Sequence, residues 1–101
     1  MRYTRFEWDQ TKSRRNLRKH GVSFDSAALL FDRPHLVRLD TRAAYDEDRW
    51  TAIGWMGPIV GLVVFTERPG RENESVIRII SARKASRRER RAYEAEIQGR
   101  T

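Results

Sequence analysis

The sequence predicts an α+β domain in which an antiparallel sheet of four to five strands carries two N-terminal helices and one C-terminal helix. Three observations support this class. The hydrophobic spacing follows the order strand, two helices, three or four strands, helix. Two of the strand-like runs are joined by a short turn, and 101 residues with 39% hydrophobic content suit one core. We therefore expect a single domain over residues 1–101, with its helices mainly on one side of the sheet.

The N-terminal third predicts one strand and two helices. Residues 2–8 alternate loosely and fit the first strand. Asp9 can cap a helix that continues to about His20. Ser23 can cap a second helix, which the Asp-Arg-Pro segment at residues 32–34 ends.

The first helix is strongly basic, with a sparse inward face. Helical spacing gives this face four residues, which are Ser13, Asn16, Leu17 and His20. Gly21 follows at the position of a left-handed C-terminal cap. We expect this face to contact the sheet and the cations around it to face solvent.

The middle of the chain predicts the centre of the sheet. Residues 36–39 fit a short strand, and residues 40–48 fit a polar connection. Residues 49–56 and 59–68 fit the two strands of an antiparallel hairpin, with Gly57 at its turn. The second strand is apolar on both faces, which predicts a central strand that is covered on both sides.

The C-terminal third predicts the last strand and the last helix. Residues 76–83 again read as a strand. Ser86 and Glu89 have the spacing of a capping box, so we expect a helix that begins there and ends near Ile97.

The charge of the chain predicts an anionic partner. A formal net charge of +7 attracts polyanions, and nucleic acid is the first candidate. An acidic protein is an alternative. The longest apolar run, residues 59–65, is too short to span a membrane, so we expect no membrane partner. The N-terminus has no apolar signal segment, and we expect a cytoplasmic protein.

Six cations cluster where the last strand leads into the last helix. They are Arg83, Lys84, Arg87, Arg88, Arg90 and Arg91. Helical geometry turns Glu89 and Tyr93 toward the sheet, near Arg83 and Lys84. This arrangement would join a base, a donor and two cations. The alternative is that Glu89 only caps the helix and that Tyr93 packs in the core.

The remaining residues favour chemistry without a metal or cofactor. The chain has no cysteine and two separated histidines, so it lacks the usual spacing of zinc ligands, and it has no Gly-rich phosphate loop. RNA supplies its own nucleophile, the 2′-hydroxyl. Arginine and lysine can stabilise the charge that develops on a phosphate, while His, Glu, Tyr or Lys can transfer protons. His20 could have this role, or it could be a surface or capping histidine.

Four blocks of the sequence resemble, in order, the BrnT family of type II toxins. They are FEWD, KHGVSF, a TER at the end of the long strand, and RIISARKA leading to ER and Tyr93. The resemblance covers nearly the whole chain. It implies a RelE-like fold and a ribonuclease that blocks translation, acting on RNA that could be ribosome-associated mRNA. It also implies a cognate ribbon-helix-helix antitoxin, a heterotetramer of two toxins and two antitoxins, and binding of operator DNA through the antitoxin.

In a fold of this type the site lies on the sheet surface beside the last strand. The resemblance therefore implies six candidate catalytic residues here, which are Arg83, Lys84, Tyr93, Arg68, His20 and Glu67. We expect Arg83 and Lys84 to stabilise transition-state charge and Arg68 to position phosphate. Tyr93, Glu67 or His20 would transfer protons.

Three further cations are candidates for binding the RNA backbone, namely Lys19, Arg87 and Arg88. Loss of a phosphate contact should weaken binding to RNA of any sequence, because such a contact depends on charge and not on the bases. The alternative hypothesis is a non-catalytic basic module that binds nucleic acid or the antitoxin.

Overall fold

The computed structural model of the protein describes residues 3–42 and 47–99. Nine elements occur in these ranges: β1 (Tyr3–Glu7), α1 (Gln10–His20), α2 (Phe24–Ala28), a 3₁₀ helix (Leu29–Asp32), β2 (His35–Leu39), β3 (Trp50–Met56), β4 (Ile59–Pro69), β5 (Glu74–Lys84) and α3 (Arg87–Gln98). This order confirms the α+β class. Part of the predicted polar connection, residues 43–46, and the first residue of the predicted first strand, residue 2, lie outside the described residues.

The strands of the described ranges form one sheet in the order β1-β5-β4-β3-β2. Strand β4 is central, as predicted. Neighbours from β2 to β5 are antiparallel, but β1 runs parallel to β5. The prediction of a purely antiparallel sheet is therefore wrong for β1. A parallel pair needs a long crossover, and the whole chain between β1 and β5 provides one.

Strand β5 contains a bulge. Between Val64 and Phe65 of β4 the register shifts by one residue, which leaves Ile80 of β5 without an opposite residue. Because of this bulge, Arg78 and Arg83 face the same side of the sheet. An odd separation would place them on opposite faces of a regular strand.

Helices cover both faces of the sheet. Helices α1 and α2 pack against β5 on one side, which we call the helix face, and enclose a core that includes Phe24, Val63 and Ile79. Helix α3 lies on the other side, the open face, where Tyr93 is buried in a smaller cluster with Val60. The expectation that helices lie mainly on one side is corrected. The apolar β4 needs cover on both faces.

Helix α1 begins and ends as predicted. The Asp9 carboxylate accepts the backbone N–H groups of residues 11 and 12, at 2.8 and 3.1 Å, and Gly21 adopts φ 73° at the C-terminus. Ser13 and Asn16 are buried as predicted. Leu17 is 50% exposed, so the inward face is narrower than expected.

Asn16 attaches α1 to the edge of β5. Its Nδ2 donates to the carbonyl oxygens of Val22 and Ala82, at 2.8 and 2.7 Å, and its Oδ1 accepts from the N–H of Ala82 at 3.3 Å. Strand β1 pairs with β5 only as far as Arg78. The amide of Asn16 therefore continues the hydrogen bonding of the sheet where β1 has ended.

Candidate functional site

A pocket of about 180 Å³ opens on the open face, between α3 and strands β2, β3 and β4. Its lining is Leu36, Arg38, Thr51, Ile53, Leu62, Glu89, Ala92 and Tyr93. Leu36, Ile53, Leu62 and Arg83 are opposite one another in successive strands. The apolar floor of the pocket therefore ends at the Arg83 side chain.

Arg83 and Glu89 form a bidentate ion pair beside this pocket. Nη1 of Arg83 lies 2.8 Å from Oε1 of Glu89, and Nη2 lies 2.9 Å from Oε2. The hydrogen bonds from Arg83 lower the pKa of Glu89 to about 2. The same pairing raises the pKa of Arg83. The pair is therefore ionised at neutral pH.

The start of α3 holds Glu89 in place. Its Oε1 also accepts the backbone N–H of Ser86 at 2.8 Å, and the Ser86 hydroxyl accepts the backbone N–H of Glu89 at 3.1 Å. This confirms the predicted capping box. A carboxylate that serves both the helix cap and Arg83 has little freedom to move.

Tyr93 lines the pocket, but its hydroxyl is bonded elsewhere. The side chain is 3% exposed, and its Oη donates to the carbonyl oxygen of Pro34 at 2.7 Å. Burial raises the pKa of Tyr93. The phenol is thus engaged in the core, which is the alternative that the sequence left open.

Lys84 does not share a face with Arg83. Successive strand residues alternate, and Ala82, which lies on the same side as Lys84, is buried in the core beneath the N-terminal helices. The Lys84 side chain is exposed, and its backbone carbonyl accepts from Nη1 of Arg83 at 3.2 Å. The predicted convergence of the two cations is not what the structure shows.

Arg68 and Glu67 are likewise on opposite faces. Arg68 lies on the open face, where Nη2 is 3.1 and 3.2 Å from the two Glu7 oxygens. Arg78 approaches Glu7 to 3.8 Å, so two arginines share one carboxylate. Glu67 faces the other side and accepts from the Ser75 hydroxyl at 2.7 Å. Of this pair, Arg68 shares the face of Arg83.

The other predicted residues lie outside the pocket. His20 and Lys19 are exposed at the end of α1 and line a separate groove along β5. Arg87 and Arg88 are exposed in the first turn of α3.

Sequence reasoning missed Arg38, Thr51 and Arg42. Arg38 and Thr51 are opposite one another in β2 and β3 and line the pocket. Glu89 and burial have the largest effects on the pKa of Arg83. The positive charge of Arg42 comes next and lowers this pKa. Leu36 and Arg38 are two residues apart, which places them on one face of a strand, but the register that brings β2 beside this pocket cannot be read from the sequence.

The described residues contain neither a cluster of metal ligands nor a helix that could span a membrane. No group of three or more His, Asp or Glu side chains in residues 3–42 and 47–99 could hold a metal ion. No helix in the same ranges is long and apolar enough to cross a membrane.

The comparison with known families agrees with the resemblance found in the sequence. No curated protein matches the chain. The family model described as "Ribonuclease toxin, BrnT, of type II toxin-antitoxin system" matches residues 8–89, about four-fifths of the chain. The matched range includes Arg38, Arg83 and Glu89. The chain therefore belongs to the BrnT family of ribonuclease toxins of type II toxin-antitoxin systems.

Proposed function

We propose that the protein is a metal-independent endoribonuclease that cleaves RNA by attack of the 2′-hydroxyl and thereby inhibits translation. The observation that carries this proposal is the bidentate Arg83–Glu89 pair at the edge of an open pocket. A guanidinium group that binds a carboxylate through two parallel N–H groups offers the same two donors to a phosphate. We assign the scissile phosphate to Arg83, where it replaces Glu89.

Glu89 then acts as the general base. The hydrogen bonds from Arg83 are the main cause of the lowered pKa of Glu89. When Arg83 binds the phosphate instead, Glu89 loses these bonds and its pKa rises toward the ordinary value. Glu89 accepts the 2′-hydroxyl proton, the 2′ oxygen bonds to phosphorus, and the bond from phosphorus to the 5′ oxygen breaks. The 5′ oxygen takes a proton from water. The products are a 2′,3′-cyclic phosphate and a 5′-hydroxyl.

Arg83 stabilises the negative charge that develops on the phosphate oxygens during this step. Arg68 remains our proposed residue for positioning a phosphate, since it lies on the same face. The Tyr93 ring forms a wall of the site. Lys84, Glu67 and His20, which the resemblance also implied, have no step in this mechanism.

The pocket is suited to a nucleobase beside the scissile phosphate. Leu36, Ile53 and Leu62 provide apolar surface, and Arg38 and Thr51 add hydrogen-bonding groups. Unpaired RNA bases are commonly held by stacking on apolar or aromatic groups and by hydrogen bonds to their edges.

Family membership implies a protein antitoxin and an RNA substrate. We further propose a ribbon-helix-helix antitoxin, a complex of two toxins with two antitoxins, repression of the operon through operator DNA, and a cytoplasmic location. Co-expression of the neighbouring gene should relieve growth arrest by this chain. Light scattering of the purified complex should give the mass of two copies of each protein, and a mass for one of each would contradict the stoichiometry.

The ribonuclease proposal is tested with purified, antitoxin-free protein and RNA in EDTA. We expect cleavage that leaves cyclic phosphate ends. Arg83→Ala should reduce the rate about 10²–10³-fold, as for loss of a transition-state donor. Glu89→Gln should reduce it about 10²–10⁴-fold. Arg14→Ala is the control, because Arg14 is exposed on α1. This variant should cut RNA at the normal rate.

Three outcomes would contradict the proposal. Cleavage that appears only when a divalent ion is restored would exclude the metal-independent mechanism. RNA that stays intact under all conditions would favour the non-catalytic binding module. Full activity of a correctly folded Arg83→Ala protein, as judged by circular dichroism, would remove Arg83 from the site.

A further inference from the structure

A basic groove runs between α1 and the exposed edge of β5. Its volume is about 290 Å³, and its lining includes Lys12, Arg15, Lys19 and His20 from α1 and Ser81 from β5. The α1 residues follow the spacing i, i+3, i+7 and i+8, so one side of the helix supplies them all.

The cations of this groove differ in pairing from those of the open face. Arg5, Arg68 and Arg83 each form an ion pair with a carboxylate of this chain, at 2.9, 3.1 and 2.8 Å. Lys12, Arg15 and Lys19 form no ion pair with any carboxylate in the described part of the chain, and the groove lining includes no acidic residue. Three neighbouring cations on one helix repel each other, and an external anion would relieve this repulsion.

The groove lies close to Arg83 along β5. Strand β1 ends opposite Arg78, so no strand of residues 3–42 and 47–99 covers the following part of this edge of β5, and Asn16 holds α1 against it. Ser81 lines the groove and lies two residues before Arg83 on the same face of β5. This separation is about 6.6 Å along a strand. A chain of phosphates bound at Arg83 could therefore pass over the edge of β5 into the groove.

We propose that this groove binds the phosphodiester backbone of the RNA segment next to the cleavage site. The inference rests on the proposed function, because it takes Arg83 as the position of the scissile phosphate. It gives Lys12, Arg15 and Lys19 a role in substrate binding, without preference for base sequence. His20 then lies beside the bound backbone and not at the reacting phosphate.

The chain offers a matched pair of variants for the test. Arg15→Gln/Lys19→Gln removes two charges from the groove. Arg14→Gln/Arg18→Gln removes two charges with the same i, i+4 spacing from the other side of the same helix, where both residues are exposed. The two variants have equal net charge and alter the same helix.

Binding is measured with a 2′-O-methyl RNA, which has no free 2′-hydroxyl and stays intact. A single-strand contact contributes about 0.7 to the slope of log K against log salt, so the groove variant should lose about 1.4 from this slope. Its dissociation constant at about 0.1 M salt should rise roughly 25-fold, and the control variant should bind like the original chain.

Cleavage gives a second measurement. The groove variant should cut a long RNA more slowly at low RNA concentration but cut a dinucleotide at the normal rate, because the single phosphate of a dinucleotide is the scissile one and none is left for the groove. Equal losses in both variants would mean that only net charge matters, and would overturn the proposal. So would unchanged RNA binding combined with weaker antitoxin binding.

Failure of the two proposals can be distinguished. If the original chain cuts no RNA, the ribonuclease mechanism fails, while the binding measurement still decides whether this groove holds RNA. If the original chain cuts and the groove variant binds normally, the mechanism stands and the groove proposal fails.

Discussion

At the scale of the residue, Arg83 and Glu89 bind each other through two hydrogen bonds. The carboxylate fills the position that we assign to a phosphate, so RNA must break an existing ion pair to bind. In the proposed mechanism, this exchange couples RNA binding to the release of the base. Glu7 is the carboxylate partner of two other arginines, Arg68 at 3.1 Å and Arg78 at 3.8 Å.

The Arg83–Glu89 pair predicts a pH-dependent contribution to stability. The pKa of Glu89 is lowered to about 2 in the folded chain. Its stabilisation should therefore be complete above the pKa of an unfolded glutamate and be lost as pH falls toward the folded value. After allowance for solvent screening we expect Glu89→Gln to cost about 1–2 kcal/mol at neutral pH. Glutamine can retain the capping contact, so the variant isolates the ion pair.

Urea unfolding of both proteins across the acid range measures this difference. The two free energies of unfolding should converge as pH approaches about 2. A difference that stays constant with pH would show that the substitution acts on packing or on the cap.

Single residues were predictable where their partners are close in sequence. The Ser86–Glu89 cap follows from a spacing of three residues and was predicted. Strand register and the bulge decide three other features. These are the pairing of Glu89 with Arg83, the face on which Lys84 lies, and the position of Arg38 in the pocket. Register is set by packing between distant segments, which the sequence pattern does not specify.

At the scale of the element, the junction of α1 with β5 positions the basic groove. Asn16 satisfies both backbone groups of Ala82 and the carbonyl of Val22. The hairpin of β3 and β4 was predictable because its turn is local. The parallel pairing of β1 with β5 was not, because the partners are far apart in the chain.

Asn16→Ala should destabilise the protein by about 2–4 kcal/mol, because buried backbone groups lose their partners. Denaturant unfolding measures the change. Arg14→Ala, on the exposed side of the same helix, should stay within about 0.5 kcal/mol of the original chain. A loss below about 1 kcal/mol for Asn16→Ala would mean that other groups or water satisfy these positions.

At the scale of the whole molecule, the two faces of the sheet are covered unequally. Helices α1 and α2 enclose the larger core, while α3 contacts the sheet through a small cluster around Tyr93. Helix α3 carries Glu89, so the proposed base lies on the less firmly attached element. The formal net charge of +7 favours encounter with RNA from a distance, whatever the local pairing.

Amide hydrogen exchange should therefore be faster in α3 than in β4 under native conditions. Strand β4 is hydrogen-bonded on both sides and covered on both faces, and such central strands open only at high free energy. Exchange followed by mass spectrometry or NMR gives the opening free energy of each element. Equal protection of α3 and β4 would mean that the Tyr93 cluster holds the helix as firmly as the main core.

The bulge at Ile80 has a consequence for how the chain selects its native pairing. If β5 paired with β4 without the bulge, every residue after Ile79 would face the opposite side of the sheet. Ala82 would then leave the hydrophobic core under α1 and α2, and Arg83 would point into it. An unpaired guanidinium group in that core would be very unfavourable. The cation that we assign to RNA cleavage thus also rejects the competing alignment during folding, and its replacement by an apolar residue would remove that safeguard.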